Sequence, residues 1–66
     1  MFCYNGLWKI LLDKGLKKKD LAEIVKLNGT TIAKMGKGQP VSMEVLYRIC
    51  KQFDCDIGDL VEIKKE

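Results

Sequence analysis

The chain has 66 residues, 47% of them apolar and 32% charged, with a formal net charge of +3. That length bounds it to one domain, residues 1–66, whose small core leaves it marginally stable unless helices pack well or a partner helps, and the composition excludes a disordered tail. The three cysteines, Cys3, Cys50 and Cys55, are odd in number, contain no C-x-x-C and stand in a chain with no histidine, which argues against a disulfide framework or a zinc site.

Reduced thiols in a cytosol are therefore expected, with Cys50 as a small core residue. No segment reads as a signal peptide or membrane span, because the apolar stretch Leu7 to Leu12 is short and broken by Lys9. The expected location is the cytoplasm, at the nucleoid.

In chain order, the apolar and aromatic start Met1 to Tyr4 reads as a strand or a packed terminus. Asn5 is expected to cap a first helix, whose stripe is Leu7, Trp8, Leu11 and Leu12 and whose wet side holds Lys9 and Asp13. Gly15 suits the left-handed residue that ends such a helix. A second helix is expected from about Lys18 to Val25, with Asp20 and Glu23 near its start, where the helix dipole favours negative charge. Leu21 and Val25 share its inner face, and Ala22 is small enough to admit a neighbouring helix.

A tight turn over Lys26 to Asn28 leads to a third helix, capped by Asn28 and running to about Met35, with Ile32 and Met35 facing inward. Gly36 and Gly38 end it, and Pro40 bars its continuation. Ser42 is a good cap for a fourth helix bearing the stripe Val45, Leu46, Ile49, Cys50 and Phe53. Glu44 and Arg48 form an i,i+4 pair on it, worth about 0.3 kcal/mol. Asp56 is placed to cap a last turn, Ile57 to Leu60. Val61 and Ile63 alternate with Glu62 before the charged end at Glu66, and fit an edge strand beside Phe2 and Tyr4.

The second and third helices, KKDLAEIVKLNGTTIAKM from Lys18 to Met35, have the layout of a helix-turn-helix, whose second helix is shaped to enter the DNA major groove. With the element order in hand, the chain resembles the Cro/phage-repressor, or XRE-like, helix-turn-helix family, and within it the small bacterial members of one domain. The resemblance runs through LWKILLDKG (Leu7 to Gly15), KKDLAEIVKLNGTTIAKMGKGQPVS (Lys18 to Ser42) and EVLYRICKQFDCDIGDLVE (Glu44 to Glu62). It implies an all-α, lambda-repressor-like fold of four to five helices, with a small two-stranded edge formed by the termini.

Two positions depart from the family pattern. Lys26 stands where relatives usually have glycine, and a left-handed conformation there costs a non-glycine residue about 1 kcal/mol. Gly29 opens the reading helix where relatives often carry a larger polar residue. It offers no side chain to a base, costs about 1 kcal/mol of helix propensity, and allows close backbone approach.

The resemblance implies a sequence-specific transcription regulator that binds double-stranded DNA as a homodimer. Asn28, Thr30, Thr31 and Lys34 would be presented on the reading helix. Asn28 either bonds an adenine edge or only caps the helix, Thr30 meets a thymine methyl or a phosphate, Thr31 packs partly inward, and Lys34 reaches guanine or phosphate. Lys17, Lys18 and Lys19 would hold backbone phosphates beside the second helix's N-terminus. Lys37 and Gln39 come after the reading helix as lesser backbone contacts. Trp8 is expected in the core, and Tyr47 in the core or at a dimer surface.

Enzymatic chemistry, a cofactor and a small-molecule substrate are not expected. There is no histidine, Gly36-Lys37-Gly38 is too short for a phosphate loop and follows a helix, and Asp54, Asp56, Asp59 and Glu62 read as caps and solvated groups. The competing reading is a protein-interaction module that keeps the fold without reading DNA.

Overall fold

The computed structural model describes residues 1–65; Glu66, the end of the expected charged tail, lies outside the described residues. The elements run β1 (Phe2–Cys3), α1 (Asn5–Asp13), α2 (Lys18–Val25), α3 (Gly29–Gly36), α4 (Met43–Phe53), α5 (Ile57–Leu60) and β2 (Glu62–Ile63). The fold is thus all-α apart from one two-stranded edge, as expected.

The core takes one or two residues from each helix: Leu7 and Leu11 from α1, Leu21 and Val25 from α2, Met35 from α3, Leu46 and Ile49 from α4, Leu60 from α5, with Tyr4 closing it. Each completely buried leucine or isoleucine contributes roughly 1.5–3 kcal/mol by leaving water. Ile32, Val45, Cys50 and Phe53 are half-buried against this cluster.

α1 differs from expectation in its N-cap and in its buried row. Its N-cap is Tyr4, and Asn5 is the first helical residue, making no side-chain cap. The inward row is Leu7, Ile10 and Leu11, at i, i+3 and i+4. Leu12 lies a further ~100° around the helix and is 78% exposed. Gly6, on the first turn, lets α5 come close: a Cβ there would collide with the backbone carbonyl of Asp59.

Four helices end in the same way. Gly15, Lys26, Gly38 and Asp54 each adopt a left-handed conformation, with φ of 69°, 58°, 73° and 52°. The next residue then donates its N–H to the carbonyl five back: Leu16 to Leu11 at 2.8 Å, Leu27 to Ala22 at 2.9 Å, Gln39 to Lys34 at 2.9 Å, and Cys55 to Cys50 at 3.1 Å. This closure satisfies carbonyls that a helix end leaves free and turns the following residue back onto the helix. The third helix therefore includes Gly36, and Gly38 is the glycine that stops it.

The helix starts are fixed by side chains. Ser42 Oγ accepts from the Val45 N–H at 3.3 Å, and Asp59 Oδ2 accepts from the Asp56 N–H at 2.9 Å. The Glu44–Arg48 pair forms at 3.2 Å on the exposed side of α4.

The termini pair antiparallel, Phe2 opposite Ile63 and Cys3 opposite Glu62. Tyr4 and Val61, expected within the strands, lie just past their ends as the caps of α1 and α5. The edge strand does more than tie the ends together. The Phe2 N–H donates to the Gly38 carbonyl at 3.2 Å, and the Tyr4 hydroxyl donates to the Gln39 carbonyl at 2.7 Å. Burial pushes the Tyr4 phenol above its ordinary pKa, with the Val41 backbone acting in the opposite direction. β1 thus braces the loop between α3 and α4.

The left-handed Lys26 holds stored strain that glycine would relieve. Lys26→Gly is expected to raise stability by about 1 kcal/mol, a rise of about 4–8 °C in Tm for a domain of this size. Thermal denaturation followed by circular dichroism measures it; an unchanged or lower Tm would show the turn to be unstrained.

Candidate nucleic-acid interface

α2 and α3 are joined by three residues, and each has one task. Lys26 reverses the chain, Leu27 turns back onto α2 beside the core, and Asn28 starts α3. Asn28 Oδ1 accepts from the Thr31 N–H at 2.9 Å and from the Thr31 hydroxyl at 3.0 Å. Of the two roles open to Asn28, the structure places its carbonyl oxygen in the cap. That leaves the amide Nδ2 as its free donor. Thr31 is half-buried and its hydroxyl is engaged by that cap.

Met35 and Ile32 anchor the inner side of α3, which leaves Gly29, Thr30, Ala33 and Lys34, with the cap residue Lys37, exposed on the outer side. This outer row runs at steps of one and three, the spacing of a helix face. It brings together Gly29, Thr30, Lys34 and Lys37 from the expected set. Ala33 was not in that set. Its signal was available: it lies three residues after Thr30 and four after Gly29. Its methyl is suited to a thymine methyl. Space beside Gly29 is open, since a Cβ there would meet nothing within 4 Å.

The lysine run opens α2, and all three residues are exposed. Lys18 has a second commitment. Its ammonium lies 4.5 Å from the centre of the Trp8 ring and would lie 3.6 Å from a Cβ placed on Gly36. It therefore sits in the corner between α1 and the C-terminal end of α3, where the helix dipole also favours a cation. Trp8 itself is half-buried, flanked by Tyr4 at 6.5 Å between ring centres. Asp20 reaches back to the start of α2, where its Oδ2 accepts from the Lys17 N–H at 2.9 Å.

Lys37 and Gln39 are exposed in the loop that β1 braces. From Ile24 to Met43 the chain has no acidic side chain, and its charged residues there are Lys26, Lys34 and Lys37. The exposed side of α3 is consequently cationic and free of carboxylates along its own length.

The arrangement suits polyanion binding better than bond-making. Burial, then the neighbouring Cys50 thiol, then Asp59 and Asp56, push the Cys55 thiol above its ordinary pKa, which keeps it protonated and poorly nucleophilic. The cysteines are free. Among the described residues no helix is long and apolar enough to cross a membrane.

Comparison with known proteins agrees with this geometry. The family model for the Cro/C1-type HTH DNA-binding domain matches residues 6–66. A solved structure, the crystal structure of transcriptional regulator VanUg, Form II, superposes with a TM-score of 0.93 at 45% identity, covering 98% of this chain and 87% of that one. No curated protein matches.

With open space at its Cβ and no left-handed strain, Gly29 is a weak helix former that α3 can lose without a clash. Gly29→Ala is expected to stabilise the domain by about 0.5–1 kcal/mol, read as a shift in the urea midpoint at constant slope. A loss of stability would show that the start of α3 needs glycine for its fold.

Proposed function

We propose that this chain, which belongs to the Cro/C1-type helix-turn-helix DNA-binding family, is a sequence-specific regulator of transcription that reads the major groove with α3 as a homodimer. The observation that supports this reading best is the exposed row on α3. It is held outward by buried Met35, joins two lysines to a threonine and two small residues, and bears no carboxylate.

In this reading the work divides into positioning and reading. Lys17 and Lys19 meet phosphates at the start of α2, with Lys18 contributing charge from its place against Trp8. Lys37 and Gln39 meet the backbone beyond α3, on the loop braced by β1. Lys34, Thr30 and Ala33 face base edges, Asn28 adds its free amide donor, and Thr31 serves through the cap. Gly29 lets the backbone of α3 approach the bases.

One such unit contacts only a few base pairs, so two copies on a two-fold symmetric site are needed for specificity. The end of α4, the C-terminal segment, or both would form the dimer surface. Ile57 and Ile63, at 37% and 62% exposed, are the apolar residues available there. The place of action is the cytoplasm, on the nucleoid.

The test is selection of a duplex from a random pool, followed by titration at two salt concentrations. Affinity should fall by about 10³-fold between roughly 50 and 200 mM salt if a dimer neutralises about six phosphates. Lys34→Glu should abolish binding with the fold intact, because Lys34 is exposed. No binding at low salt, or affinity indifferent to salt, would leave the interaction-module reading in its place.

A further inference from the structure

A groove with no part in this reading runs between the C-terminal end of α2 and the C-terminal half of α4. Ile24, Val25 and Tyr47 give it an apolar and aromatic lining, and Lys26, Arg48, Lys51 and Gln52 complete it. It encloses about 660 Å³. Ile24 is 40% exposed and Tyr47 62%. Met43 stands one turn before Tyr47 on the same face of α4 and is also exposed.

Two features distinguish this groove from an ordinary wet crevice. Its charged lining is all of one sign: three cations and no carboxylate. Glu44 engages only Arg48, from one side at 3.2 Å, so Lys26 and Lys51 have no acidic partner among the described residues. Tyr47 and Ile24 also remain exposed beside those cations, an aromatic-and-basic combination of the kind that dominates binding energy at protein interfaces.

The α4 side of the groove lies away from the proposed DNA face, while Lys26 at its edge stands two residues before Asn28. Lys26 is at the opposite end of α2 from the Lys17–Lys19 run, a helix of eight residues and so about 12 Å long. None of the residues assigned above to DNA lines the groove.

We propose that this groove docks an acidic segment of a partner protein, with an apolar or aromatic side chain of that segment packed against Tyr47 and Ile24 and its carboxylates against Lys26, Arg48 and Lys51. Charge complementarity selects this occupant. A second copy of the chain packed about a two-fold axis here would set Arg48 and Lys51 against their own equivalents, and like charges brought together across an interface cost binding energy. A nucleic acid would match the charge and leave the exposed Ile24 without an apolar partner. The docking does not require DNA binding, and a regulator on its operator could hold both.

The probe is a synthetic fluorescent peptide that alternates glutamate and aspartate with leucine and phenylalanine. Its control has serine at every apolar position. Titration into the ¹⁵N-labelled protein should shift the amides of Ile24, Tyr47 and Lys51, with α3 unmoved. Lys51→Glu and Tyr47→Ala should each weaken the peptide by about tenfold, and serine replacement should do the same. Both variants should retain helical circular dichroism, and Tyr47→Ala, away from the end of α4, should keep wild-type affinity for duplex DNA.

The proposal is overturned if the groove amides do not move, if the serine peptide binds equally well, or if duplex DNA displaces the peptide from the groove. It is also overturned if sedimentation shows self-association that Tyr47→Ala abolishes, which would make the groove an interface between copies. A protein that binds the peptide here and fails to bind DNA would refute the function proposed above and leave this inference standing.

Discussion

A left-handed residue at the end of a helix, succeeded by one that hydrogen-bonds back five positions, is the constraint on which the rest of this structure depends. It occurs after α1, α2, α3 and α4. Its importance lies in directing the next residue inward. Leu16, Leu27 and Cys55 are turned back against the core by that bond, so three of the four connections become part of the packing, while Gln39 stays exposed. Two glycines, Gly15 and Gly38, accept the conformation freely; Lys26 and Asp54 accept it at a cost. At Lys26 the cost is met where it matters most, because the closure there sets how α3 leaves α2.

Once that turn is closed, the outward face of α3 is set by a few contacts. Asn28 can start a new helix immediately, since its side chain takes the Thr31 N–H and hydroxyl. Met35 buries the inner side of the last turn. The far end is held by elements distant in sequence: Lys18 against Trp8 and Gly36, and β1 against Gly38 and Gln39. The first residues of the chain thus contribute to the shape of a surface in its middle. A small core with half-buried cysteines and an exposed Leu12 has little stability in reserve, so such backbone ties matter more than they would in a larger domain.

Most of the secondary structure was legible because short-range chemistry set it. Asn28 and Ser42 are side-chain caps, Asp59 bridges the start of α5, and apolar spacing located α2 and α4. Three features were not legible, each for a long-range reason. Asn5 had the chemistry of a cap, but Tyr4 occupies that position, buried and tied to Gln39 across the fold. Leu12 matched an apolar stripe, but α5 approaches α1 over Gly6 and selects the row containing Ile10 in its place. Tyr47, expected in the core or a dimer surface, is on an open groove that exists only because α2 and α4 pack side by side. For the site, the sequence located the exposed lysines and the cap. It did not separate Lys18 from its neighbours, since the Trp8 ring that holds it belongs to a different helix.

The central claim is that the outer row of α3, flanked by the start of α2, is the surface that meets DNA. The most direct measurement is the amide chemical-shift footprint of the ¹⁵N-labelled protein on titration with its selected duplex. The account predicts the largest shifts at Thr30, Ala33 and Lys34, with further shifts at Lys17, Lys19 and Lys37 and little change along α5. A footprint that leaves α3 unmoved and falls on α4 or α5 would contradict it.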